Sequence, residues 1–340
     1  MLPKLRVPQA VEVLKLGVSI REPILMTGAP GIGKSDIVQL VRAELNMNLI
    51  LSQPVVGDPM DAKGLPYSWT EKDGTIRADF IPYGDLHYAM IASKPTIWFI
   101  DDLGQAPPAV QAAYMQLLLA REINGKKISD NICFIAATNR RQDKAGVTGI
   151  LEPVKSRFAM IFELEPNIED FCVWAYSNKI LPSIPAYLRF NNKHLLDFKP
   201  NNDMEPSPSP RTWAKLSKLL SNFQGDAKLR DKIIYGSIGE GAGRDFSSFE
   251  KLDLPDIDML IRYPDQFMAP DAPDRLYAIC AAIATRTTVD NIDNIVRLSE
   301  RMKPQFAKMM MTDARMVCPN IDLTEAYLNY SQRIATSFTE

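Results

Sequence analysis

Histidine and cysteine are both scarce in this chain. His87 and His194 are too few for a histidine-rich metal site. Cys133, Cys172, Cys280 and Cys318 stand far apart, with neither the paired spacing of a zinc site nor the density of a disulfide framework. No apolar run approaches the ~18 residues a membrane span requires. Lys4, Arg6, Glu12 and Lys15 interrupt the first apolar stretch, so a signal-peptide core is not expected. Neither sign of charge dominates: 39 basic side chains against 41 acidic leave a net charge of −2. That balance gives no general attraction to a polyanion, which would have to meet a local basic patch instead. Internal repeats and low-complexity tails are also missing. A reduced, cytoplasmic protein without a membrane partner is the expectation.

What is present is ordinary for a folded chain: 46% apolar and 24% charged residues over 340 positions, a length that suits two domains or one with extensions. The 25 prolines are slightly abundant and cluster at Pro206–Pro210 and Pro264–Pro273, where they punctuate the chain.

The first half alternates strand and helix signals. Pro23–Thr27, Thr96–Ile100 and Ile132–Ala137 are short apolar runs that read as buried strands. Asp36–Leu45 reads as a helix, as does Ala109–Ala120, where Val110, Ala113, Tyr114, Leu117 and Leu118 follow helical spacing. Strands separated by helices predict a parallel sheet covered on both faces. One irregular insert, residues 53–84, breaks the pattern; it is rich in Gly, Pro and Asp, with a turn expected at Asp73-Gly74. After about Glu165 helix signals take over: Arg211–Phe223, a segment through Leu276, Ile279, Cys280 and Ile283, then Asn291–Met302 and Leu323–Ser337. Met309-Met310-Met311 reads as core filling rather than a docking face, and Asp265–Asp274 as a linker.

Gly28-Ala29-Pro30-Gly31-Ile32-Gly33-Lys34-Ser35 fits the phosphate-loop pattern G-x-x-x-x-G-K-S/T in full, between a strand and a helix. Glycines there let the backbone curl so that amide N–H groups point inward at phosphates, and the following helix N-terminus adds partial positive charge. Lys34 would reach the β- and γ-phosphates and the Ser35 hydroxyl would bind Mg²⁺; Asp36 continues the nucleotide-binding segment into the helix. Trp98-Phe99-Ile100-Asp101-Asp102 is an apolar strand ending in two carboxylates. Asp101 there can hold the Mg²⁺ shell, and Asp102 can orient or activate a water. The third strand ends in Thr138-Asn139, an amide at the strand tip beside the phosphate loop.

With these residues the chain resembles an AAA+ ATPase, and most a MoxR-type one, over roughly residues 10–245. The loop at Gly28–Ser35 corresponds to Walker A, Ile100-Asp101-Asp102 to Walker B, and Ala136-Ala137-Thr138-Asn139 to the sensor 1 strand. Glu152–Phe158 resembles the arginine-finger segment with Arg157 in the finger position, and Ser209–Trp213 the start of the sensor 2 helix with Arg211 as sensor. Residues 53–84 resemble the insert that points loops toward a central pore, with Val56–Tyr67 as the pore-facing candidate. Arg121–Ile128, with its Asn-Gly turn, matches the hairpin before sensor 1. Arg140 and Arg141 follow sensor 1 and are held in reserve for an interface.

The resemblance implies an α/β P-loop core at 1–165, an all-helical lid at 166–250 and a helical extension at 251–340. It implies a homo-oligomer, a hexameric ring with ATP and Mg²⁺ at subunit interfaces and Arg157 supplied in trans; a guanidinium there would stabilise charge on the transferring phosphoryl group. It implies chaperone-like remodelling of a protein client, with a von Willebrand factor A-domain protein as a partner class. One position departs from the family: the second Walker B acid is usually glutamate, and here it is Asp102, one methylene shorter. Help from such a residue is typically worth about 10²–10⁴-fold, so slow or partner-gated hydrolysis, a scaffold or switch, is the alternative expectation. A nucleic-acid motor of the same fold is disfavoured by the near-neutral charge.

Overall fold

The computed structural model describes residues 2–143, 149–198 and 204–337. The chain divides into two compact units, Met1–Pro166 with Phe198–Pro200, and Asn167–Asp197 with Asn201–Glu340.

The first unit is built on a six-stranded parallel sheet. Its strands are β1 (Lys4–Leu5), β2 (Ile24–Gly28), β3 (Asn48–Ser52), β6 (Thr96–Ile100), β9 (Ile132–Asn139) and β10 (Met160–Leu164), in the spatial order β1-β10-β2-β9-β6-β3. Two antiparallel hairpins stand apart from it, β4 (Leu65–Thr70) with β5 (Ile76–Ile81), and β7 (Glu122–Ile123) with β8 (Lys126–Lys127). Helices α1 (Val7–Ile20), α2 (Lys34–Glu44), α3 (Pro59–Lys63), α4 (Gly84–Ile91), α5 (Pro108–Ala120) and α6 (Glu152–Lys155) connect the strands.

The three apolar runs become β2, β6 and β9, the strands in the middle of the order. All five residues of β2 and of β6 are buried, as a two-faced parallel sheet requires. Beneath β6 and β9 lies a core of Trp98, Tyr114, Phe134, Leu117 and Leu103. The Trp98 ring packs against Phe134 at 5.5 Å and Tyr114 at 6.3 Å, and its indole N–H donates to Ser52 Oγ at 2.8 Å, so the buried polar tip is satisfied.

The insert is more regular than its composition suggests. Asp58 caps the short helix α3 by accepting from Met60 N at 2.9 Å, and the β4–β5 hairpin follows with Tyr67 and Trp69 stacked at 5.3 Å on one face. Its tip is the Asp73-Gly74 turn, where Asp73 Oδ1 accepts from Thr75 N and Gly74 takes φ +86°. In the second hairpin Asn124 (φ +51°) and Gly125 (φ +71°) both adopt the left-handed conformation that a two-residue turn of this hand demands.

The regular structure of the second unit is all helix among its described residues: α7 (Ile168–Ser177), α8 (Ser183–Phe190), α9 (Pro210–Ser221), α10 (Ala227–Ile238), α11 (Glu240–Glu250), α12 (Ile257–Arg262), α13 (Pro273–Ala284), α14 (Ile292–Glu300), α15 (Pro304–Val317) and α16 (Glu325–Ser337). Among the described residues its apolar side chains pack into a cluster around Tyr187, Trp213 and Phe246 and another around Ile279, Ile295 and Met310. Helix α13 contributes to both, with Ala278 and Ala281 on one side and Ile279 and Ile283 on the other. A buried ion pair ties α8 to α15: Arg189 grips Asp313 through both terminal nitrogens and also holds Glu169 of α7. Met310 and Met311 are buried as expected for core filling. Among the described residues no helix is long and apolar enough to cross a membrane.

Candidate functional site

The C-terminal ends of β2, β9 and β6 lie side by side, with Gly28 opposite Asn139 and Ile100 opposite Ala136. This edge of a parallel sheet is where ligands of open α/β folds sit, and it carries the phosphate loop, the strand-end amide and the two carboxylates.

The loop's backbone explains its glycines. Gly31 and Gly33 take φ +79° and +97°, a region strained for any L side chain, and Gly33 caps α2 from that conformation. At Gly28 a Cβ would lie 2.5 Å from Ile32 Cδ1. Lys34 opens α2 and is buried at 7% exposure. An ammonium taken out of water needs acceptors. Its Nζ donates to Gly28 O at 3.0 Å, to Ala29 O at 3.1 Å and to Asn139 Oδ1 at 2.7 Å. Ser35 Oγ donates to Asp101 Oδ2 at 2.9 Å. Lys34 with Asn139 and Ser35 with Asp101, residues from three separate stretches of sequence, thus meet as two hydrogen-bonded pairs.

Asp102 follows in the left-handed conformation, φ +56°, with its own N–H donating to Asp101 Oδ1 at 3.0 Å. Its Oδ1 accepts from Gln105 Nε2 at 2.5 Å and from Asn139 Nδ2 at 3.3 Å. Gln105 is in turn fixed by Thr138 Oγ1, which donates to Gln105 Oε1 at 3.1 Å. A chain therefore runs from Thr138 through Gln105 to Asp102. Sequence reasoning missed Gln105; the signal is an amide three residues after a strand-end acid, within reach across one turn. Gly104 makes the approach possible, since a Cβ there would lie 2.3 Å from Thr138 Oγ1.

The two candidate arginines stand outside this bonded group. Arg157 follows α6 and is half-buried; its Nε is buried without a hydrogen-bond partner among the described residues. Arg211 is the second residue of α9 in the other unit and is exposed. The helix start it occupies is well made, with Ser209 Oγ accepting from Thr212 N and Thr212 Oγ1 accepting from Ser209 N. Of the reserve pair, Arg140 is committed elsewhere, bonded twice to Asp143 and once to Glu163. Those contacts, the Asp143 hydrogen bonds foremost, hold its proton more firmly than usual. Arg141 is exposed.

A phosphate loop at the C-terminal edge of a parallel sheet, with a serine bonded to a strand-end aspartate, defines a P-loop nucleotide-binding fold. Residues 23–158 match the family model described as AAA domain (dynein-related subfamily), a stretch that contains the whole bonded group. No curated protein matches the chain. Among solved structures, a mutant of RuvB from Thermotoga maritima is 15% identical, covering 83% of this chain and 86% of its own, with a TM-score of 0.42. NtrX from Brucella abortus in complex with ADP is 14% identical, covering 89% of this chain and 64% of its own, with a TM-score of 0.42. Likenesses this weak assign no activity.

Proposed function

We propose that the chain is a Mg²⁺-dependent ATPase of the MoxR-type AAA+ branch, acting in the cytoplasm as a hexameric ring that remodels a protein client, with von Willebrand factor A-domain proteins as the partner class. The observation that supports this best is the bonded group of Lys34, Asn139, Ser35 and Asp101 at the sheet's C-terminal edge. In this reading residues 1–165 are the nucleotide-binding core, 166–250 the lid carrying Arg211, and 251–340 a helical extension. Gly28–Asp36 wraps ATP, and Lys34 turns its amine from the two loop carbonyls to phosphate oxygens. The hydroxyl of Ser35 and the carboxylate of Asp101 are hard oxygen donors, suited to Mg²⁺ that takes its remaining ligands from phosphates and water. That fit matters because, among the described residues, no cluster of three His, Cys, Asp or Glu could hold a metal alone. When bound, the ion would neutralise phosphate charge.

Asp102 and Asn139 orient the attacking water, Arg157 enters a neighbour's site, and Arg211 senses nucleotide from the lid. Residues 56–67 face the client. The test is Mg²⁺-dependent ATP turnover against protein concentration, followed by mixing of two inactive variants. Lys34→Ala has a dead site but an intact finger; Arg157→Ala has the reverse. Specific activity should climb with concentration, and the mixture should recover turnover that neither variant shows alone. Turnover independent of concentration, with Arg157→Ala fully active, would sink the ring reading.

A second reading, a slow ATP-bound switch, is favoured by the state of Asp102: one methylene short, and tethered by Gln105 and Asn139. In that case Asp102→Glu raises turnover sharply.

A further inference from the structure

The sheet has two edges, and they are treated differently. The β1 edge is only two residues long. The β3 edge is five residues, Asn48-Leu49-Ile50-Leu51-Ser52, and is bonded on one side only, to β6. Asn48 N donates to Pro95 O and Ser52 O accepts from Asp101 N, so the even-numbered residues bond inward. By the alternation of a parallel ladder, Leu49 and Leu51 turn their N–H and C=O groups outward. Among the described residues neither makes a backbone hydrogen bond outside the sheet, and within it β3 is paired with β6 alone.

Free edges are ordinarily blunted by lysine, proline, a bulge or a covering segment. β3 contains none of these residues. Its edge instead lies in a groove of about 930 Å³ between α2 and α4. Leu51, Tyr88 and Ile91 on its walls are 47%, 62% and 61% exposed. Charge in the groove is uneven. Its acid, Asp85, is engaged by Ser52 Oγ. Its two cations, Arg42 and Lys94, are exposed, and their charged groups form no ion pair or hydrogen bond among the described residues.

We propose that the β3 edge is a docking site for an extended acidic segment of a partner protein, which adds to the sheet as a further strand. Backbone groups of Leu49 and Leu51 supply the ladder bonds. Alternate apolar side chains of the segment cover Leu51, Tyr88 and Ile91, and its carboxylates meet Arg42 and Lys94. The inference stands apart from the ATPase reading, because none of these residues belongs to the nucleotide group.

The probe is a fluorescein-labelled ten-residue peptide of alternating valine and glutamate, titrated with the full-length protein and read by anisotropy at low and at physiological salt. Saturable binding that weakens with salt is expected. Three controls define it: the peptide methylated on alternate backbone amides, the same peptide with lysine for glutamate, and R42E/K94E on the protein. Each should weaken binding on the order of tenfold or more. Leu51→Pro removes one outward donor while leaving the inward bonds to β6, and should do the same. Because R42E/K94E changes only exposed side chains, the test survives if Leu51→Pro fails to fold. No saturable binding, or binding indifferent to amide methylation and to R42E/K94E, overturns the proposal. So does a concentration-dependent oligomer that R42E/K94E dissolves while the peptide fails to compete, since a second copy of this chain then covers the edge.

Discussion

Gly104→Ala probes whether the Thr138–Gln105–Asp102 chain is held as tightly as its distances imply. The new Cβ would lie 2.3 Å from Thr138 Oγ1, 3.2 Å from Ile150 Cγ1 and 3.3 Å from Thr138 Cβ. Thr138 cannot retreat readily, because it is buried on β9, a strand paired on both sides. The turn at Leu103–Gln105 must therefore move by about 0.7 Å to reach the shortest tolerated contact, and overpacking of this size costs about 1–3 kcal/mol. Urea unfolding should read that loss directly. Gln105 moves with the turn, so Asp102 loses its register; misplacement approaching 1 Å is worth up to about 10²-fold in rate, and ATP turnover should fall about 10- to 100-fold. Nucleotide affinity should stay within about threefold, since Lys34 and the loop carbonyls are not displaced. Thr138→Ala removes the colliding oxygen, so G104A/T138A should be more stable than the sum of the single variants by about 1 kcal/mol or more. Wild-type stability for Gly104→Ala, or strict additivity in the double variant, refutes the reasoning.

Three further outcomes can be checked independently. Lys34→Met leaves Asn139 Oδ1 and two loop carbonyls without their shared donor and should weaken ATP binding about 10- to 100-fold by fluorescence titration, the worth of one charge-assisted hydrogen bond. Asp313→Ala strands the Arg189 guanidinium, itself 4% exposed, with only the half-exposed Glu169 for company; calorimetry should show about 3–5 kcal/mol lost, most of it recovered in R189M/D313L. Burial raises the thiols of Cys133, Cys172 and Cys280 above their ordinary range, the last to about 12, so iodoacetamide at neutral pH should label Cys318 in the native protein and all four cysteines after denaturation.

The parts of this fold legible in sequence are those where one local rule acts without competition. β6 falls on the apolar run at Thr96–Ile100, because a strand buried on both faces must be apolar at every position. Helix α5, at Pro108–Ala120, begins one residue before the run its periodicity marked. β3 escaped notice since Asn48-Leu49-Ile50-Leu51-Ser52 opens and closes on polar residues, as an edge strand with one exposed side does. β10 escaped because Glu163 interrupts Met160–Leu164; its carboxylate is held by Arg140, a contact no periodicity could announce. α1 was masked by charges at Glu12 and Lys15, which sit on its outer side while Ala10, Leu14 and Val18 face the core.

The site divides along the same line. The phosphate loop is legible because its glycines answer to backbone geometry, φ +79° and +97°, that no other residue meets cheaply. The pairing of Ser35 with Asp101 and of Lys34 with Asn139 follows once β2, β9 and β6 lie side by side in parallel register. Gln105 was not legible, because its role depends on a left-handed Asp102 and a side-chain-free Gly104 acting together. Each of those residues has a commonplace use in a turn, and only their conjunction places an amide 2.5 Å from the strand-end carboxylate. The shorter acid and its tether are therefore one feature: a glutamate at position 102 would carry its carboxylate past the Gln105 amide, and the bond that now holds the acid would have to break or re-form. Asp102→Glu and Gln105→Ala should consequently act on the same restraint, and their effects on turnover should fall short of multiplying when combined.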